Sequence, residues 1–328
     1  MKEERRRFNK VALFLCFTLT LVIPSASWLS QAQGQRMTKL NLGYVRVADQ
    51  SPLFLAVDKG FGKEEGLELN LTPMVGGAAV APALASGALH IGVANVVSIV
   101  IAHTKGFDFK FIANGAINKA RSNETFGIQV LRDSPLRIGK DLEGKVVATN
   151  TLQNTVHLST LYWVDKHGGD SSKVKIVEMP FPAMEGALRD KKIDAFTAAE
   201  PFVAIPSGRT TKVIGVPLGE IAPRLLIFTY FSSGEWADKN ADTARAFIRA
   251  LNKGMDYHYK NLEEAKVSIA KWTGLDPGLV GKVTLPVFEK EHVLSDIQPW
   301  IDLSHKYKFI DKPFKAEELL HRLALVKR

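Results

Sequence analysis

LNLGYVRVADQSPLFLAVDKGFG, residues Leu40–Gly62, reads as a strand, a polar turn and a helix in one run. Leu40, Leu42, Tyr44, Val45 and Val47 favour a pleated, half-buried strand. Ser51 supplies an N-cap hydroxyl, and Pro52 a first helical residue whose φ is already set. The turn from Arg46 to Gln50 therefore lies over the unpaired N–H groups of a helix start. Such a place attracts an anion or a ligand oxygen without needing a cationic side chain.

Outward from this unit the pattern recurs. Residues 66–71 alternate like a second strand ending at Pro73, Gly76-Gly77 turns the chain, and Ala78 to Ala85 reads as a helix closed by Ser86-Gly87. His90 to Ala94 is a third strand; Asn95 follows it, and Val96 to His103 returns to helix. Strands that each lead into a helix argue for a parallel sheet covered on both faces. Phe109 to Ala116 is a fourth strand, and Phe126 to Leu131 carries the chain to a second sheet. There Asp141-Leu142 announces a helix, Lys145 to Ala148 is a buried strand, and the polar turn Thr149 to Thr155 precedes a helix from Val156 to His167. This repeats the opening arrangement. Val174 to Glu178 is again a strand, Pro182 to Arg189 a helix, and Ile193 to Thr197 a strand leading to Glu200-Pro201-Phe202.

Leu225 to Ser232 is a continuous apolar strand returning to the first sheet. From Asp238 onward the pattern is helical, with Ala244, Phe247, Ile248, Leu251 and Met255 on one face. Asn261 with Glu264 resembles a capping box, Asp276-Pro277 begins another helix, and the last helices span Trp300 to His305 and Ala316 to Leu325. The expectation is two α/β lobes with mixed sheets and a two-segment hinge. Lobe I takes residues 33–125 with 225–328, and lobe II residues 126–224. Ligands of open α/β sheets sit at the strand ends, here in the cleft between the lobes.

Residues 1–32 read as an export signal: Lys2, Arg5, Arg6, Arg7 and Lys10 precede the apolar run Val11 to Ile23, then Pro24, with cleavage expected after Ala32. The apolar run is shorter than the roughly 18 residues that span a bilayer. Cys16 is the single cysteine and lies in the leader, so residues 33–328 offer no thiol nucleophile, disulfide or thiolate metal site. Losing the leader removes five basic and two acidic side chains and lowers the net charge from +9 to +6. No basic run with interleaved aromatics follows, which argues against nucleic acid as a partner. No His/Asp/Glu set has metal spacing, and neither metal nor cofactor is expected. His103 and His157 read as structural histidines.

Gly43-Tyr44, Pro52-Leu53, Ala56 to Phe61 and Glu65-Gly66-Leu67 resemble the opening of the substrate-binding proteins of nitrate, sulfonate and taurine-type ABC importers. Ala83 to Gly87 with Ile91-Gly92, Asp141 to Val147, Ile193-Asp194-Ala195 with Glu200-Pro201-Phe202, and Gln298-Pro299-Trp300 with Asp311 to Phe314 continue the likeness in order. The resemblance implies a type II periplasmic binding protein fold, closure on a small-molecule ligand, and docking on an ABC permease of the inner membrane. It places the ligand against Asp49, Gln50, Ser51, Gly76, Gly77, Ala78, Asn95, Val96, Asn150, Thr151, Asn154, Thr155 and Glu200. Asn95-Val96-Val97 departs from the Gly and Ser that many sulfonate-holding relatives carry there.

The expected function is non-catalytic: an exported monomer that captures a small organic anion, such as a sulfonate, a taurine-like compound or a carboxylate. Two alternatives stand beside it. One is an enzyme of this fold acting on a small sulfur- or nitrogen-containing compound, although a thiol mechanism lacks its cysteine. The other is a ligand-loaded partner of a membrane sensor. Phe181, Phe202 and Trp163 are candidates for an apolar cleft wall, which suits an organic ligand better than bare nitrate.

Overall fold

A computed structural model describes residues 37–325; the expected leader and its cleavage site lie outside the described residues. The opening run forms β1 (Thr38–Val45), a 3-10 turn over Ala48–Gln50, and α1 (Ser51–Asp58), followed by the single turn α2 (Phe61–Glu64). The chain continues as β2 (Leu67–Met74), α3 (Gly77–Ala85), β3 (Ile91–Asn95), α4 (Val96–Thr104) and β4 (Phe109–Ala113). Next come β5 (Ala116–Lys119), β6 (Phe126–Leu131), β7 (Val146–Thr149), α5 (Thr155–Lys166), β8 (Lys175–Glu178), α6 (Phe181–Arg189), β9 (Ala195–Ala199) and β10 (Thr211–Gly215). The short α7 (Leu218–Ile221), β11 (Arg224–Leu226), β12 (Phe228–Ser233), α8 (Gly234–Lys239), α9 (Ala241–Lys260), α10 (Leu262–Thr273), β13 (Val287–Phe288) and α11 (Gln298–Lys306) complete it.

Two mixed five-stranded sheets result, in the orders β2-β1-β3-β12-β4 and β10-β6-β9-β7-β8, with a small sheet β11-β5-β13 beside them. β1 pairs parallel with β2 and β3, as expected of strands that each lead into a helix, while β12 returns antiparallel between β3 and β4. In the second sheet β7 is parallel to β8 and β9, and β6 runs antiparallel to β9. The first sheet draws on chain both before and after the second, so the backbone crosses between them twice.

Packing explains the long C-terminal helices. Leu53, Phe54, Leu55 and Ala56 of α1 are fully buried, and Phe54 stacks on Trp272 of α10 at 5.5 Å with Tyr44 edge-on to both. Asp58 accepts from Ser268 Oγ, Trp272 Nε1 and Lys271 Nζ and so ties the end of α1 to α10. Gly254 lets α9 cross α1 closely, since a Cβ there would stand 2.1 Å from the Pro52 carbonyl oxygen. No helix among the described residues is long and apolar enough to cross a membrane.

Several local expectations are corrected. Gln50, not Ser51, stands at the N-cap of α1, because Ser51 already has helical angles and its hydroxyl bonds His258 Nδ1 at 2.8 Å. Asp141-Leu142 ends a 3-10 turn instead of opening an α-helix, and Pro277–Lys282, Ala316–Leu319 and Arg322–Ala324 are 3-10 turns too. Asn261 makes no cap bond to α10, since the Glu264 carboxylate is taken by Lys59 and Tyr257. Phe109 to Ala116 is broken, with Ala116 belonging to the small sheet, and Leu225 to Ser232 divides between β11 and β12.

Candidate functional site

The C-terminal ends of β1, β3 and β9 converge where two helices begin, α3 after Gly76 and α5 after Asn154. Between them lies a small cavity of about 10 Å³ lined by Val45, Gly76, Gly77, Asn95, Phe126, Asn150, Asn154, Thr155, Val156, Phe181, Ala199 and Phe228. Its polar face is made of amides, a hydroxyl and backbone. Among the described residues no ionisable side chain lines it.

Asn95 and Asn154 organise this face. Asn95 Oδ1 accepts from Ser98 N at 3.0 Å, capping α4, and also from Thr155 N at 3.2 Å, so one carboxamide joins the end of the first sheet to the first residue of α5. Asn154 Oδ1 accepts from His157 N at 2.9 Å, while its Nδ2 donates to Asn150 Oδ1 at 2.8 Å and Thr151 Oγ1 at 2.7 Å. Asparagine oxygens therefore occupy N–H groups at the starts of α4 and α5, whereas α3 begins at Gly76 with no side-chain cap. Gly76 completes the contact between the two sides. A Cβ at this position would lie 2.9 Å from Thr151 Cγ2.

The sequence candidates separate into two groups. Gly76, Gly77, Asn95, Asn150, Asn154 and Thr155 line the cavity, and Thr151 supports them from behind. Val96 is buried with its N–H on Ile227 O, Ser51 faces His258, and Ala78 continues α3. Asp49, Gln50 and Glu200 are 2%, 0% and 2% exposed and lie outside the cavity lining.

Main-chain bonds bring those three residues together. Ala48 N donates to Glu200 O and Glu200 N to Thr125 O, at 3.2 and 3.0 Å. Glu200 Oε2 accepts from Ala204 N and Oε1 from Thr284 N, so this carboxylate ties the turn after β9 to the segment leading into β13. Both carboxylate oxygens of Asp49, both amide atoms of Gln50 and the hydroxyls of Thr125 and Thr155 are buried without a hydrogen-bond partner. Burial pushes Glu200 up to about 7, against the pull of its two backbone donors. Burial, and then the neighbouring Glu200 charge, push Asp49 up to about 8.

A second hollow, a groove of about 270 Å³, shares Val45 and Phe181 with the cavity. Arg46, Pro73, Met74, Val75, Pro180, Pro182, Phe202 and Thr273 complete its walls. Phe181 and Phe202 stack at 5.4 Å with their planes 22° apart. Trp163, the third aromatic candidate, belongs to the core behind the second sheet, 1% exposed and pressed against Gly215. His157 is held down to about 4 by burial and takes the Gln153 N–H on Nδ1, and His103 packs on Phe314; neither lines the cavity. Arg46 is not among the sequence candidates. Its exposure beside apolar residues of three other segments is visible only in the fold.

The chain is similar to a number of solved and curated proteins, of which three are described. The alkanesulfonate-binding protein SsuA from Xanthomonas axonopodis pv. citri, bound to MOPS, superposes with a TM-score of 0.74 at 17% identity, covering 86% of this chain and 98% of that one. The periplasmic aliphatic sulphonate binding protein SsuA from Escherichia coli gives 0.72 at 15% identity, covering 87% and 92%. The nitrate import ATP-binding protein NrtC of Synechocystis sp. is 24% identical over 256 residues, 68% of this chain. The chain spans only 35% of that curated protein's length. The likeness to the two sulfonate-binding proteins shows the type II periplasmic binding protein fold, two α/β lobes with mixed sheets. The family model described as NMT1/THI5 like matches residues 48–265, and the chain belongs to that family.

Proposed function

We propose that this protein is an exported, non-catalytic solute-binding protein that closes two lobes on a small organic anion and delivers it to an ABC permease. The lobes in this reading are residues 33–125 with 225–328, and residues 126–224. The carrying observation is the cavity lined from both five-stranded sheets and bridged by the Asn95–Thr155 bond. Hinge closure around a ligand produces such an arrangement. The nitrate import and sulfonate binding named for the similar proteins support the reading. A lining without ionisable groups favours capture over acid–base chemistry, which needs a titratable group within hydrogen-bond reach.

Native mass spectrometry of the protein as purified, followed by a thermal-shift panel of sulfonates, carboxylates, nitrate and pyrimidines, tests it. A true ligand at a hundredfold excess over Kd stabilises by about 2.7 kcal/mol. Absence of any shift across the panel would remove the import role. Turnover of a bound solute would favour the enzyme instead.

Contacts also rank the loops. Replacing Asn150 and Asn154 together by Ala should weaken ligand binding about tenfold or more, because a lost polar contact of about 1.4 kcal/mol is a factor of ten. Ser51→Gly should leave affinity within about twofold, since its hydroxyl is spent on His258. Calorimetric titration with the ligand found by mass spectrometry reads both, and the opposite ranking would move recognition to the first loop.

A further inference from the structure

Asp49 lies where the two proposed lobes meet. It sits in the 3-10 turn after β1, is 2% exposed, and leaves both carboxylate oxygens without a hydrogen-bond partner. The turn after β9, on the other lobe, lies against it: Ala48 N donates to Glu200 O at 3.2 Å, and the Glu200 carboxylate is close enough for its charge to act on Asp49. That carboxylate is itself fixed in place by the N–H groups of Ala204 and Thr284. Asp49 has no such donors. A buried carboxyl with neither donor nor cation beside it is far better off with its proton than without it.

The elements packed around this turn bring it no countercharge among the described residues. On α1 and α10, Asp58 is taken by Lys271, Glu264 by Lys59 and Glu263 by Lys266. His258 of α9 bonds Ser51 and is held down to about 4 by burial. Glu124, next to Thr125, accepts from Asn118 Nδ2 and Gly219 N, while Arg46, Asp276 and Lys282 are exposed. The charge that acts on Asp49 is Glu200, and it has the same sign. When the lobes part, the turn after β9 leaves and the Asp49 carboxyl meets water, where it ionises like an ordinary aspartate. Closing must then either bury a second negative charge beside Glu200 or fix a proton.

Resting on the two-lobe capture reading, we propose that closure is coupled to a proton: the lobes close with uptake of one proton from solvent onto the Asp49 carboxylate, and reopening gives it back. One O–H bond forms on an Asp49 oxygen and no other bond changes. Capture is then favoured by acid and release by alkali, because the closed form binds a proton that the open form does not.

The test closes the lobes without a solute. A Cβ at Gly76 would stand 2.9 Å from Thr151 Cγ2 across the join, so Gly76→Cys with Thr151→Cys, in a Cys16→Ser background, places a cysteine pair within disulfide reach. Oxidation by dithiodipyridine moves both thiol hydrogens onto the two thiopyridones, and by itself neither consumes nor releases protons. A pH indicator in weakly buffered solution at about pH 5.5, above the range of an ordinary aspartate, therefore reads closure alone. The oxidised pair should take up about one proton per molecule more than the same pair carrying Asp49→Asn. Equal uptake by the two proteins would overturn the proposal and leave solute capture, which the thermal-shift panel tests, standing. A pair that cannot be oxidised would remove the closed form on which both the proposal and the capture reading stand.

Discussion

Asp49→Asn should stabilise the protein by about 3 kcal/mol at pH 8 while leaving it within about 2 kcal/mol of wild type at pH 5, the largest stability effect expected of any conservative change near the site. In the folded protein this carboxyl keeps its proton to about 8, against 3.8 for an ordinary aspartate. Burial without a hydrogen-bond partner is the main cause, and the Glu200 charge adds to it. Folded protein therefore holds a proton that the unfolded chain releases between those two values. Stability attached to this group is full below about 4 and drains as the pH rises through the window to about 8.

The full displacement would be worth about 6 kcal/mol at 1.36 kcal/mol per pH unit. Ionised Asp49 can gain water by local opening beside Glu200 at less cost than unfolding, and that escape limits the effect to about 3 kcal/mol. Glu200, raised to about 7, ionises first and drains stability in the same direction above 4.5. Three histidines act oppositely. His157 and His258 are held down to about 4 and His292 to about 3, so the unfolded chain takes protons below 6.5 that the folded one refuses. Wild-type stability should thus peak between roughly pH 6 and 7. Asp49→Asn should flatten only the alkaline side. Urea denaturation of both proteins across this range measures it, and equal alkaline losses would mean that Asp49 is ionised in the folded protein.

Glu200 and Asn95 show where the sequence was readable and where it was not. The βα repeats predicted the parallel β1, β2 and β3 and the change of sheet at Phe126, because a strand's hydrophobic run and the helix after it are local features. Polar residues were misread where their partners lie far along the chain. Ser51 looked like a cap but bonds His258, 207 residues away, and Glu264 looked like half of a capping box but bonds Lys59, 205 residues away. The same reason governs the site. The Asn150–Thr155 loop was visible as a cluster of hydrogen-bonding side chains before a helix, yet nothing in it revealed that Asn95 would reach the Thr155 N–H from 60 residues earlier. Propensity sees neighbours in sequence, whereas a cleft is made of neighbours in space.

Gly76→Val should lower ligand affinity about a hundredfold, some 2.7 kcal/mol, while leaving the unliganded fold within about 1 kcal/mol of wild type. Gly76 has extended angles, φ 177 and ψ 179, which any residue adopts, so the substitution carries no backbone strain. Its added Cβ meets Thr151 Cγ2 at 2.9 Å and Asn150 Nδ2 at 3.4 Å, and both atoms belong to the loop before α5, beyond the second sheet's β7. A branched side chain there is compatible with either half of the molecule alone and clashes only when the two meet. It should therefore populate the open form, and the ligand must then supply the free energy of closing against the clash. Calorimetry with the ligand identified by mass spectrometry gives the affinity, and small-angle scattering gives the radius of gyration. Wild type should contract on adding ligand and Gly76→Val should not. Gly186→Ala, whose Cβ meets nothing within 4 Å, controls for the loss of a glycine and should bind normally. If Gly76→Val keeps both its affinity and its contraction, the contact from Gly76 to Thr151 is not a closing surface. The Asn95–Thr155 bond would then have to join two parts that never separate.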